Sequence, residues 1–146
     1  TGNNLYSVMY AGGRYVAVGA GGLALTSTDA LNWTSVPSQS TQDLRSITYH
    51  LALGRFVAVG AAGTVVTSGD GLTWTGQAPL SAKDLNEVLV GGQLVAVGAD
   101  GVIFTSADGL SWQAASSATS STLNGLAYGN SGYVAVGAGG ASLTSY

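Results

Sequence analysis

An all-β fold made of one small sheet repeated four times is what this sequence predicts, and three observations predict it. The tetrapeptide Val-Ala-Val-Gly is written four times, starting at Val16, Val57, Val95 and Val134, so the chain repeats with a period near forty residues. Within each repeat, short apolar segments alternate with glycine turns, and no useful length of chain has helical periodicity. The 23 glycines against 2 prolines suit many tight turns rather than a disordered, proline-rich chain.

Each repeat opens with a short strand: 5–10, 44–49, 85–90 and 123–128. One parity carries Tyr6, Val8 and Tyr10, then Arg45, Ile47 and Tyr49. The other is small or mixed, as in Ser46 and Thr48, so the strand fits a crowded place. A glycine turn leads to the second strand, centred on Val-Ala-Val-Gly. A second turn follows, and Asp100-Gly101 gives its strongest hairpin signal, because both central residues of a type I′ turn need positive φ. The third strand covers 23–27, 64–68, 102–106 and 141–145, ends in Thr-Ser each time, and is apolar on both parities, as in a sheet covered on both faces. The fourth strand is expected to start at Trp33, Trp74 and Trp112. The fourth repeat stops before its tryptophan, so its outer strand is expected to be missing.

Four antiparallel strands per unit of about forty residues, repeated, read as β-propeller blades, here 5–43, 44–84, 85–122 and an incomplete 123–146 of one domain. A lone blade cannot bury both faces, so neighbours must stack on it. Three and three-quarter blades leave two open faces. The expectation is a homo-oligomer, two chains closing a ring of about eight blades, or excision from a longer propeller; a four-bladed monomer is the rival. The chain begins at Thr1 and reads as a processed or excised piece.

Between third and fourth strands runs a motif: Thr26-Ser27-Thr28-Asp29-Ala30-Leu31-Asn32-Trp33, then Thr67-Ser68-Gly69-Asp70-Gly71-Leu72-Thr73-Trp74, then Thr105-Ser106-Ala107-Asp108-Gly109-Leu110-Ser111-Trp112. A carboxylate in a tight turn accepts backbone N–H bonds, and a tryptophan buries a large ring and seeks a partner for its N–H. The motif resembles the Asp-box, or bacterial neuraminidase repeat, of sialidases and of many non-enzymatic propellers. The whole unit looks like the related repeats of secreted bacterial proteins and of photosystem-assembly propellers. It departs from the sialidase form in an Asp-to-Trp spacing shorter by one residue, and Asp29 lacks the following glycine. The resemblance implies structural roles for Asp29, Trp33, Asp70, Trp74, Asp108 and Trp112, and a secreted, extracellular or periplasmic protein.

Other chemistries fit less well. Only 8% of residues are charged, against roughly 25% in an ordinary soluble domain. With four basic residues, a net charge of −3 and no basic stripe, nucleic acid is not an expected partner. No apolar run is long enough to span a bilayer. There is no cysteine, and His50 is alone and reads as a loop residue, so no metal is expected. Gly19-Ala20-Gly21-Gly22-Leu23-Ala24 matches a dinucleotide fingerprint but leads into a strand where that motif needs a helix, so no cofactor is expected. Asn32-Trp33-Thr34 matches a glycosylation acceptor and is read as structural, since its tryptophan is a repeat position.

A sialidase, by family likeness, needs three converging arginines, a tyrosine with a glutamate partner and an acid–base aspartate. Arg14 and Arg55 are equivalent positions before second strands, and only Arg45 starts an inner strand. Other glycosidases need paired carboxylates, and nothing in the spacing pairs Asp43, Asp84, Glu87 and Asp100. The expectation is a chain without catalytic residues: a binding or interaction module, with a purely structural subunit as the alternative. Variation within the repeat supplies the candidate ligand site. Tyr6, Arg45, Asn86 and Asn124 occupy one equivalent position, and Asp43, Asp84 and Asp100 belong to linkers and turns on the same face. They are the polar groups expected to meet a glycan or protein at the mouth of the ring.

Overall fold

The computed structural model describes residues 2–145. Fifteen strands form four separate antiparallel sheets. Blade 1 runs in the order β1 (Leu5–Ala11), β2 (Arg14–Gly19), β3 (Leu23–Ser27), β4 (Thr34–Pro37). Blade 2 follows with β5 (Leu44–His50), β6 (Arg55–Gly60), β7 (Val65–Ser68), β8 (Thr75–Gly76). Blade 3 has β9 (Leu85–Val90), β10 (Leu94–Gly98), β11 (Ile103–Ser106), β12 (Gln113–Ala115). Blade 4 has three strands, β13 (Leu123–Gly129), β14 (Gly132–Gly137) and β15 (Ser142–Ser145). Tyr146, the last residue of the expected fourth unit, lies outside the described residues, as does Thr1.

The inner strands β1, β5, β9 and β13 lie side by side, each beside the next. Apolar clusters fill the spaces between blades. Val16 and Val18 pack with Leu44, Ile47 and Phe56 between blades 1 and 2. Val57 and Val59 pack with Leu85, Val88 and Leu94 between blades 2 and 3. Val95 and Val97 pack with Leu123 and Ala135 between blades 3 and 4. Side chains at these positions are essentially dry, which removes the apolar area that drives the stack.

The glycine that ends each Val-Ala-Val-Gly is there for room, since its backbone is extended. A Cβ on Gly60 would stand 1.8 Å from the Asp43 carbonyl oxygen, and one on Gly98 1.9 Å from that of Asp84. The next residue then bonds the same carbonyl, as in Ala61 N–H to Asp43 O at 2.9 Å. The following hairpin has positive φ at both central residues, 54° at Asp100 and 73° at Gly101, closed by Val102 N–H to Ala99 O.

Three expectations need correction. Three of the third strands start one residue late, at Val65, Ile103 and Ser142: Thr64, Val102 and Ala141 close the hairpin turn as Leu23 does, but only Leu23 also has a ladder partner, Pro37 of β4. The fourth strands begin after their tryptophans, and β8 has only two residues, followed by one further bond from Gln77 N–H to the Val65 carbonyl at 3.0 Å. His50 is the last residue of β5, paired with Arg55, and is not in a loop. The two open faces lie at the ends of the stack, where Val8 is 60% exposed and Val136 49%.

Candidate functional site

The candidate row begins with a backbone irregularity. In every blade the pairing between first and second strands slips at one place. Leu5 pairs with Gly19 and Ser7 with Val18, so Tyr6 is the extra residue. The same slip isolates Arg45, Asn86 and Asn124. A bulge bends the strand and re-aims the bulged side chain. It also breaks strict alternation, so Tyr6 is not in phase with Val8 and Tyr10. The four residues of the candidate row are therefore the four that the backbone sets apart.

Three of them are joined across blades. Arg45 donates from Nη1 to Asn86 Oδ1 at 2.7 Å. Asn86 Nδ2 donates to the Leu123 carbonyl at 2.9 Å and to Asn124 Oδ1 at 3.2 Å. Arg45 also pairs with Asp84, Nη2 to Oδ2, at 2.7 Å, with both side chains about a third or more exposed. Tyr6 holds the equivalent place on β1 and is 45% exposed.

The aspartates of the row are already engaged. Asp84 Oδ1 accepts the Ala62 N–H at 2.9 Å, and Asp43 Oδ1 accepts the Gly21 N–H at 2.8 Å. Each pins its linker to the hairpin turn of the preceding blade. The Ala62 amide, then the Arg45 charge, hold the Asp84 carboxyl below its ordinary range. Asp100 is paired with Lys83, whose ammonium is held above its ordinary range by that bond. Linkers, hairpin turns and the bulged row therefore share one rim.

Glu87, beside the row, is half-buried on β9. Ser46 donates to its Oε1 at 3.1 Å while accepting the Val88 N–H. Burial pushes the carboxyl up. The sequence marks Glu87 only as a possible glycosidase acid. Its hydrogen bond to Ser46 of the neighbouring blade and its burial depend on the stacking of blades, which no local pattern shows.

The aspartates of the turn motif are consumed locally. Asp70 Oδ1 accepts Leu72 and Thr73 N–H at 2.8 and 2.7 Å, and Ser68 Oγ donates to it at 3.0 Å. Asp29 and Asp108 repeat the pattern. The Thr73 amide, then that of Leu72, lower Asp70 to about 2, and the amides of the same turn positions lower Asp29 and Asp108 as well. Trp33 and Trp112 donate their indole N–H to a turn carbonyl at 3.2 Å. Trp74, buried between blades 1 and 2, does not: its N–H has no hydrogen-bond partner.

The arginines are separate. Arg14 donates to Thr26 within blade 1, Arg55 to the Asp108 carbonyl of blade 3, and Arg45 to Asn86. A depression of about 560 Å³ along 35–41 of blade 1 is lined by no charged side chain and does not include the row. Among the described residues no cluster of His, Asp or Glu is suited to a metal, and no helix is long and apolar enough to cross a membrane.

Comparison with solved structures then decides the architecture. YCF48 from Cyanidioschyzon merolae is similar over 100% of this chain and 54% of its own, with a TM-score of 0.74 at 16% identity. A structure of YCF48 bound to D1 peptide is similar over 94% and 48%, with a TM-score of 0.72 at 18% identity. The fold is that of a β-propeller. The chain spans about half the length of the solved propellers it matches. No family model and no curated protein matches the sequence.

Proposed function

We propose that this chain is a non-enzymatic interaction module of Asp-box-like propeller blades, and that the rim carrying Arg45, Asn86 and Asn124 receives an extended segment of a protein partner. The observation that carries the reading is the bulged row itself. Four bulges place side chains at one height, and three of these are linked by hydrogen bonds into a fixed polar ledge. Asn86 holds the ledge together, with both amide hydrogens on Leu123 O and Asn124 Oδ1 and its oxygen on Arg45, and the Asn124 amide beside it can both donate and accept, which suits a peptide backbone. One similar propeller, YCF48, has been solved bound to D1 peptide, which favours a protein segment over a glycan. The absence of catalytic chemistry is supported by the arginines, which are held by different partners, and by the motif aspartates, which are filled by turn amides.

The test is selection from a displayed library of random ten-residue peptides on immobilised protein, beside a glycan array. The reading expects peptides enriched on the wild type and lost on Asn86→Ala, with the circular dichroism spectrum unchanged. Glycans bound in place of peptides would overturn it. So would turnover of a fluorogenic sialoside that Arg45→Ala abolishes.

A further inference from the structure

Every internal joint between blades has the same two halves. One half is the valine pair of the Val-Ala-Val-Gly strand. The other is the first leucine and the aliphatic residue three places on in the next blade's inner strand, with that blade's aromatic residues. Val16 and Val18 meet Leu44, Ile47, Phe56 and Trp74 in this way. Val57 and Val59 meet Leu85, Val88 and Leu94. Two halves are left over. Blade 4 presents Val134 and Val136, 37% and 49% exposed, where the equivalent valines are 0–5% exposed. Blade 1 presents Leu5 at 48% and Val8 at 60%, where Leu44 and Ile47 are 0% and 5%. Trp33 is 38% exposed where Trp74 is 4%.

We propose that a second copy of this chain covers both ends, blade 4 of each copy packing on blade 1 of the other to close a two-chain ring of eight blades. The chain carries both halves of its own joint, one at each end, and shows that joint assembled three times within itself. Such a head-to-tail contact closes into a ring when the rotation allows and otherwise grows into a filament. Eight blades lie within the usual range of four to eight. The two joints form together, so the second closes at the high effective concentration set by the first. Two copies also amount to about the full length of the solved propellers, of which one copy spans 48% and 54%. This assembly does not depend on what the polar rim binds.

The experiment is mass in solution by light scattering at about 100 µM, with peptide binding read separately. Wild type is expected at twice the 14.4 kDa chain mass. Val8→Lys and Val136→Asp, each alone, are expected at the single-chain mass, with dissociation constants raised on the order of a hundredfold or more by a buried, unpaired charge. Mixed together they restore the dimer, because one of the two joints is then wholly wild type and the other pairs Lys with Asp. Circular dichroism matching the wild type shows that the variants fold. A wild-type monomer, a filament, a variant that keeps the double mass, or a mixture that stays monomeric would each overturn the proposal.

Discussion

The joint between blades 2 and 3 and the two ends of the stack contain equivalent residues in different surroundings. Leu85 and Val88 are dry against Val57 and Val59, while their counterparts Leu5 and Val8 face solvent. The difference teaches that the apolar pattern of a repeat states what a blade needs and not what it has. Each inner blade is completed by its neighbours, and the end blades carry the same demand unmet. The third joint is intermediate. An apolar cleft of about 270 Å³ remains between blades 3 and 4, lined by Val95, Leu126 and Leu143 among others.

The largest expected effect breaks this comparison most sharply. Leu85→Ala should cost about 3 kcal/mol in urea unfolding, since it leaves a cavity at a wholly buried site. Leu5→Ala, measured at dilution where chains are single, should cost less than about 1 kcal/mol. Equal losses would mean that the end blade is as well covered as the inner one.

Next in size is a contrast between two glycines. Gly60→Ala should cost roughly 3 kcal/mol, because its Cβ would collide with the Asp43 carbonyl, which is fixed backbone. Gly139→Ala, at φ 64° with nothing within 4 Å, should cost about 1 kcal/mol from backbone strain alone. The melting temperatures of the two variants check this ordering.

The smallest effect concerns the polar side of the joints. Burial raises the Glu87 pKa above the ordinary 4.5, so the penalised form is the charged one. Its favourable contribution is full below the unfolded pKa and is lost as pH rises through the folded value. Glu87→Gln should therefore stabilise the chain at pH 7, by less than about 1 kcal/mol at this half-exposed site, and leave it unchanged near pH 4. A gain that persists at pH 4 would trace to something other than ionisation.

Much of the fold is legible in the sequence because the repeat shows each element several times. Val-Ala-Val-Gly marks a strand whose glycine allows a close backbone approach, and the turn aspartates sit where backbone amides need an acceptor. Arg45, Asn86 and Asn124 stand out because a varied, polar position in a repeat is visible without knowing its geometry. The bulge that aims them is not visible, since it lies in the pairing of two strands and leaves no residue-type signature. Asp43 and Asp84 fall with the ligand site on sequence grounds because linkers and turns share a rim. Their occupation by the Gly21 and Ala62 amides depends on contacts 22 residues apart along the chain. The unlike burial of Trp33 and Trp74 is equally hidden, because it follows from which blade has a neighbour.

The most direct measurement is hydrogen exchange along the chain at a dilution that keeps copies apart. The stacked-blade account predicts slow exchange in β6 and β10, which have a blade on each side, and faster exchange in β14, which has a blade on one side only. Equal protection of β6, β10 and β14 under those conditions would contradict it.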